Sequence, residues 1–284
     1  MSCLETKNLT YVYGEGTPFR VTALDNVNAS FYGNRIIALI GSTGSGKSTL
    51  IQQLNALLIP SKGEVLLDGE NINKDKKTAY SVKFRVGICF QYPEYQLFES
   101  TVYKDIAFGP QNMKLSEDEI KKRVIESAEF VGLPLSYLNK NPFDLSGGEK
   151  RRVAIAGILA MRPEILILDE PAAGLDPIGK EKIQQLILRY RDTTNKTVII
   201  VSHSMEEVAE LADEILVMNK GKLVMRGTVD EIFSKADEIK ALGLTVPAVT
   251  EITDKIREAG IELPKGIYTM QQAVDALSHI GGKR

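Results

Sequence analysis

The run Gly41-Ser42-Thr43-Gly44-Ser45-Gly46-Lys47-Ser48-Thr49 constrains this chain more than any other feature. It fits G-x-x-x-x-G-K-[ST]. The glycines let the backbone curl so that several N–H groups converge on one anion. A following helix adds its positive end. Lys47 supplies a point charge for β- and γ-phosphates, and Ser48 a hydroxyl ligand for Mg2+. The flanks match this reading. Arg35–Ile40 is apolar after its first residue, as in a strand buried on both faces. Thr49–Leu58 carries Leu50, Leu54, Leu57 and Leu58 at helical spacing. The nucleotide-binding candidates are the residues of this run.

A second feature supports the first. Ile165-Leu166-Ile167-Leu168 is followed by Asp169 and Glu170. Acids at the carboxyl end of a buried strand lie where ligands bind in parallel α/β sheets. Asp169 is placed to hold Mg2+ through water, and Glu170 to orient or deprotonate an attacking water.

Composition narrows the setting. The charged fraction is 25%, the apolar fraction 43% and the formal net charge −2, which suit a folded globular chain and give no global drive toward nucleic acid. No apolar run approaches the roughly 20 residues of a membrane span. The start lacks the basic and then apolar order of a secretory signal. Cys3 and Cys89 make neither a metal nor a disulfide framework. The expected compartment is the cytoplasm.

Along the chain, Leu9–Tyr13 and Ala23–Phe31 flank a Gly/Pro breaker and predict an antiparallel pair. Val65–Leu67 and Val86–Phe90 read as strands. Between Gln91 and Pro163 the β signal fades, with helices expected over Glu117–Val131 and Gly147–Met161. Alternation then resumes. Ile165–Leu168 is a strand, and Asp176 with Pro177 opens a helix to about Tyr190. Thr197–Val201, Met205–Leu211 and Glu214–Met218 follow as strand, helix and strand. Lys222–Met225 closes a hairpin, and Thr228 caps a short helix. Beyond Lys235 two helices are expected, one with Val249, Ile252 and Ile256, the other opened by Thr269 with Val274 and Leu277. Their apolar faces call for a partner. The fold class is α/β: a P-loop core with an N-terminal antiparallel part, a helical insertion over about 92–162, and a helical extension over 236–284 that follows a unit of residues 1–235.

Leu145-Ser146-Gly147-Gly148-Glu149, continued by Lys150-Arg151-Arg152-Val153, narrows the class. With it the chain resembles the ATP-binding-cassette family over about residues 4–235. The resemblance implies ATP and Mg2+ as ligands and a dimer that closes over two ATPs. Ser146, Gly147, Gly148 and Glu149 then match the signature motif, whose helix faces a phosphate on the other cassette. Gln91 matches the Q-loop glutamine, a sensor of Mg2+ and water. Ala173-Gly174-Leu175-Asp176 matches the D-loop, with Asp176 facing the partner. His203 matches the switch histidine that hydrogen-bonds a γ-phosphate. Tyr13 matches the adenine-stacking aromatic, with Tyr11 on the same face as its rival. His279 is read as solvated or structural.

Finer segments resemble the ATPases of energy-coupling-factor (ECF) importers: Phe90-Gln91-Tyr92-Pro93-Glu94-Tyr95-Gln96-Leu97-Phe98, Asp105-Ile106-Ala107-Phe108-Gly109-Pro110 and Asp169-Glu170-Pro171-Ala172-Ala173-Gly174-Leu175-Asp176-Pro177. Gly16-Thr17-Pro18-Phe19 and the Tyr92-Pro93-Glu94 segment look like the second of the two paralogous subunits. That resemblance implies a second ATPase subunit as a paralogous partner, a transmembrane coupling subunit and a substrate-capture membrane subunit. It also implies residence at the cytoplasmic face of the membrane and import of vitamins or related micronutrients. The Leu242–Pro247 tail resembles the extension that helps hold the ATPase pair together. Leu97, Phe98 and Phe108 are candidates either for gripping the coupling subunit or for the core of the helical part.

An ATPase of a conventional solute-binding-protein-dependent or metal-ion importer is the alternative. A chromosome-maintenance ATPase would need a long coiled coil, whereas only about 120 residues without sustained heptads separate the loop from the acidic strand. A twin-cassette ribosome-acting protein would need a second phosphate loop.

Overall fold

In the computed structural model, which describes residues 3–281, the central strands are Ile36–Gly41 (β3), Val86–Cys89 (β6), Ile165–Asp169 (β7), Thr197–Val201 (β8) and Glu214–Asn219 (β9), joined by Lys222–Gly227 (β10) at one edge. The preceding and intervening strands are Leu4–Tyr13 (β1), Val21–Phe31 (β2), Lys62–Leu67 (β4) and Glu70–Asn71 (β5). Among the described residues the strands form two sheets, ordered β10-β9-β3-β8-β7-β6 and β2-β1-β4-β5. In the first, β9, β3, β8, β7 and β6 are parallel and β10 is antiparallel. The second is antiparallel.

The unbroken apolar strands have a direct cause. Side chains alternate across a strand. On one face, Ile36, Ala38, Ile40, Leu166, Leu168, Val198 and Ile200 join a helix-covered core. On the other, Ile37, Leu39, Ile165, Ile167, Ile199 and Val201 pack with Leu4, Leu24, Phe31 and Val65 of the antiparallel sheet and with Leu50, Ile51 and Leu54. Those last three belong to the helix Lys47–Leu54 (α1). With both faces covered, no position of β3 tolerates a polar residue, and every residue of β3 is buried.

The remaining helices are Lys76–Arg85 (α2), Val102–Asn112 (α3), Glu117–Phe130 (α4), Gly147–Leu159 (α5), Pro177–Thr194 (α6), Met205–Leu211 (α7), Val229–Phe233 (α8), Ala236–Ala241 (α9), Ala248–Glu258 (α10) and Met270–Gly281 (α11). The expected helical region contains α3, α4 and α5. Asp176 caps α6 by accepting from the Gly179 N–H, as read from the sequence.

Several expectations change. The helix expected to reach Leu58 ends at Leu54. Ala56 adopts a left-handed φ of 55°, Asn55 Nδ2 donates to the Val86 carbonyl, and Leu57 is exposed. Both α2 and α3 were missed. α2 buries only Val82 among its residues, so no apolar stripe announces it. α3 contains Gly109 and Pro110, which read as breakers, but Pro110 falls in its last turn.

The tail helices also depart from their apolar stripes. α10 buries Val249, Thr250 and Thr253, while Ile252, Val274 and Leu277 are exposed. Val249, Ile267 and Ala273 form a small core of their own. Ile239, Val246 and Tyr268 join the main core. Tyr268 also donates its hydroxyl to Asp230 at 2.7 Å and meets Phe233 with ring centroids 5.8 Å apart. The extension is therefore docked on the core and carries an apolar outer face. The side chain of His279 lies outside the described residues.

One glycine sets how β1 meets β4. Gly63 has a φ of +76°, and a Cβ there would lie 2.3 Å from the Asn8 carbonyl oxygen. Gly63→Ala is expected to cost about 2 kcal/mol and to lower the thermal midpoint by roughly 4 °C or more. An unchanged melting curve would refute this account of the sheet.

Candidate functional site

β3 delivers the phosphate loop to the carboxyl edge of the sheet. Gly44 and Gly46 have φ of +78° and +104°, and α1 starts directly behind them. At Gly46 a Cβ would lie 2.5 Å from the Ala23 carbonyl oxygen. The loop is tied to the β9–β10 turn because the Gly221 N–H donates to the Ser45 carbonyl. Lys47 Nζ donates to the carbonyls of Gly41 at 2.7 Å and Ser42 at 3.2 Å, which holds the ammonium inside the curve of the loop. Burial pulls the Lys47 pKa down, opposed by the charges of Glu170 and Asp169.

Strand register brings the acids to the same edge. Asp169 is level with Val201, and Leu39 with Val201 from the other side. The Glu170 N–H donates to the Val201 carbonyl at 2.9 Å, and His203 lies two residues further on. Cys89 is level with Leu168, and Gln91, exposed, lies two residues past β6 on the same edge of the sheet. The structure thus gathers the phosphate loop, Asp169, Glu170, His203 and Gln91 at adjoining strand ends.

The electrostatics of this cluster are unusual. Burial, then the neighbouring Asp169 and Glu207 carboxylates, push Glu170 up to about 7. Burial also raises Asp169, against the pull of Lys47. His203 is lowered by partial burial and by Lys47, which keeps the ring neutral at pH 7. Its Nε2 stands 3.4 Å from Glu170 Oε1. That oxygen is buried and makes no hydrogen bond among the described residues. Glu170 itself has a left-handed φ of 51°, strain of the kind that functional sites retain.

These residues fit a polyphosphate and a divalent cation. An ammonium inside a glycine cradle at a helix start suits an anion. Two carboxylates made basic by burial, one with an oxygen that makes no hydrogen bond among the described residues, suit a cation beside it. Among the described residues no three His, Cys, Asp or Glu cluster as a self-sufficient metal cage.

The other candidates lie further out. Tyr13 is exposed, and its hydroxyl lies 3.3 Å from Thr49 Oγ1, next to the phosphate loop. Tyr11 stacks edge-on against Tyr13 with centroids 4.8 Å apart and packs on the core. Ser146 caps α5, and Glu149 completes a capping box by accepting from the Ser146 N–H at 2.9 Å and hydroxyl at 2.7 Å. Those bonds hold the Glu149 carboxyl below its ordinary range. Gly147 and Gly148 open α5. Leu97 belongs to the core, whereas Phe98 and Phe108 are exposed and stack edge-on at 4.9 Å.

Sequence reasoning missed Glu207. It is buried on the core side of α7, is raised by burial, and accepts from the Ser202 hydroxyl beside His203. A carboxylate within the apolar stripe of Met205, Val208 and Leu211 was the signal.

This loop, this sheet and these strand-end acids define a P-loop nucleotide-binding cassette. The family model for ABC transporters matches residues 24–173. The energy-coupling factor transporter ATP-binding protein EcfA2 of Caldanaerobacter subterraneus subsp. tengcongensis is 50% identical over 270 residues, 95% of this chain and 94% of that protein. Its counterpart in Clostridium perfringens is 49% identical over 278 residues, 98% of each. Among solved structures, cbiO1 of Clostridium perfringens, part of the ABC transporter complex cbiONQ, has a TM-score of 0.74 at 39% identity, covering 84% of this chain and 93% of that one. A dimeric ATP-binding cassette in a post-hydrolysis state with ADP and Pi has a TM-score of 0.71 at 30% identity, covering 80% of this chain and 98% of that one. The chain belongs to the energy-coupling factor ATP-binding proteins of the ABC transporter family.

Gly46→Ala tests the loop directly. The strain and backbone clash should weaken ATP binding about tenfold or more, read by titrating the purified chain with a fluorescent ATP analogue. Wild-type affinity in a folded variant would count against the loop as the binding site.

Proposed function

We propose that this chain is the ATP-hydrolysing nucleotide-binding subunit of an ECF-type importer, coupling a cassette dimer to uptake of vitamins or related micronutrients. The observation that carries the reading is the gathering of Lys47, Asp169, Glu170 and His203 at adjoining ends of parallel strands.

In this reading, Tyr13 stacks on adenine. The N–H groups of residues 41–49 and the Lys47 ammonium hold the phosphates. Ser48 and Asp169 hold Mg2+, with Gln91 beside them. Bound Mg2+ supplies charge neutralisation on the phosphate oxygens. Glu170 accepts a proton from the attacking water, and a pKa near neutrality suits a general base. Neutral His203 donates a hydrogen bond to a γ-phosphate oxygen.

The described bonds of Ser146 and Glu149 join them to each other. That leaves the start of α5, Gly147 and Gly148 included, to face a phosphate on a second subunit, a paralogue of this one, with Asp176 beside the shared interface. The exposed Phe98–Phe108 pair supports a grip on a transmembrane coupling subunit, with a separate membrane protein capturing substrate. Among the described residues no helix is long and apolar enough to cross a membrane, which accords with peripheral attachment at the cytoplasmic face. The division into a cassette over residues 1–235 and an extension over 236–284 belongs to the same proposal. The outer face of α10 and α11 would meet the paired subunit.

Glu170→Gln in the assembled complex should lower kcat by about 10²-fold or more while nucleotide binding persists. Near-wild-type turnover would sink the role of Glu170. Val274→Asp with Leu277→Asp should weaken pairing of the ATPase subunits about tenfold or more, seen by sedimentation, with the chain's own melting unchanged. Unaltered pairing would count against the extension as a subunit contact.

A further inference from the structure

The side chain of Arg151 has no part in the site described above, yet it is buried to 2% exposure. Its guanidinium reaches two loops at once. Nε and Nη2 donate to Glu94 Oε2 at 3.1 Å and Oε1 at 2.9 Å, a bidentate pair. Nη1 donates to the carbonyls of Pro171 at 3.1 Å and Ala173 at 2.8 Å.

The placement of these partners matters. Arg151 sits in α5, five residues past Ser146. Glu94 lies three residues past Gln91, in the short helical turn Pro93–Gln96 that follows the left-handed Tyr92. Pro171 directly follows Glu170, and Ala173 opens the Ala173-Gly174-Leu175-Asp176 segment. A single rigid fork therefore spans the helix of the signature segment, the loop after Gln91 and the loop after the acidic strand.

We propose that Arg151 is a positioning residue that locks these three segments into one unit, so that Glu170, Gln91 and the start of α5 keep the mutual register hydrolysis needs. This deepens the function proposed above and rests on it.

Two physical points support the proposal. A buried ion pair adds little net stability, because desolvation offsets the attraction, and register is its best-attested use. Glu94 is nevertheless held below its ordinary range: burial, the largest effect, pushes its carboxyl up, and the Arg151 hydrogen bond, a backbone hydrogen bond and the Arg151 charge together more than reverse that. The task also demands a guanidinium. Its planar fork serves a bidentate carboxylate and two carbonyls together, whereas a lysine ammonium is a point charge that cannot span them. Small misplacements of reacting groups are costly, so a lost register shows in turnover rather than in nucleotide affinity.

Arg151→Lys and Glu94→Gln, made in this chain within the assembled membrane complex, test the idea. Steady-state kcat at saturating ATP is compared with the affinity of the purified chain for a fluorescent ATP analogue. Arg151→Lys should lower kcat about tenfold or more while affinity stays within about threefold. Glu94→Gln should act in the same direction but less, since the carbonyl bonds remain. If Arg151→Lys does not fold, Glu94→Gln decides alone, and a drop in kcat of at least about threefold is the supporting result. Turnover closer to wild type than that, or a parallel loss of affinity, turnover and melting temperature, overturns the proposal. Glu170→Gln run alongside separates the two readings. Full turnover there removes the catalytic assignment, whereas collapsed turnover there with full turnover in Arg151→Lys removes only the role of Arg151.

Discussion

Two-sided burial of the parallel sheet is the constraint on which the rest of this structure depends. β3 can neighbour β8 and β9, and β7 can neighbour β6 and β8, only because helices cover one face and the antiparallel sheet covers the other. Parallel strands all end on the same edge. The phosphate loop, the Asp169–Glu170 pair, His203 and Gln91 lie at the ends of these strands, so the packing of the sheet brings them to one edge from positions far apart in the chain. Polar contacts such as the Glu170 N–H to the Val201 carbonyl then fix their places.

The same burial sets the site's chemistry. Asp169 and Glu170 are pushed toward the protonated form by lost solvation, and Lys47 toward the neutral form. These opposed shifts leave charged groups whose water has already been removed. Such groups interact strongly with an incoming phosphate or cation, because the local dielectric is low. Glu170 has a left-handed backbone and a buried oxygen that makes no hydrogen bond among the described residues, features that add nothing to stability and suit the catalytic role proposed for it. The capping box of Ser146 and Glu149 does the opposite at the start of α5. It satisfies the helix end internally and leaves that end exposed and pre-formed.

How much could be read beforehand depended on how each element earns its place. Strands buried on both faces were legible because β3, β7 and β8 are plain apolar runs. Helices with strong caps were legible too, as with Asp176 and Pro177 on α6. α2 was not, because it buries little and its stability comes from Asp75 capping and from lying against the sheet. α3 was hidden by Gly109 and Pro110, which read as breakers; Pro110 comes so near the end of the helix that the backbone bond it removes affects only the final turn. In the tail, spacing placed the helices but misjudged their faces. Thr250 and Thr253 are buried because they hydrogen-bond the carbonyls of Ile267 and Val249, a possibility that a hydrophobic stripe does not reveal.

The sequence by itself determined the kind of site. A Gly-rich loop between a buried strand and a helix, acids at a strand end, and the segment from Leu145 to Glu149 are local patterns, and local backbone chemistry suffices to read them. The tertiary structure decided the relations between them. Only the fold shows that Tyr13 is exposed with its hydroxyl next to Thr49, whereas Tyr11 packs on the core. The buried fork of Arg151, Glu94, Pro171 and Ala173 could not be foreseen, because its partners lie on separate segments and meet only when the helical part packs against the sheet. A guanidinium in a basic run reads as a solvated charge until packing removes the water around it.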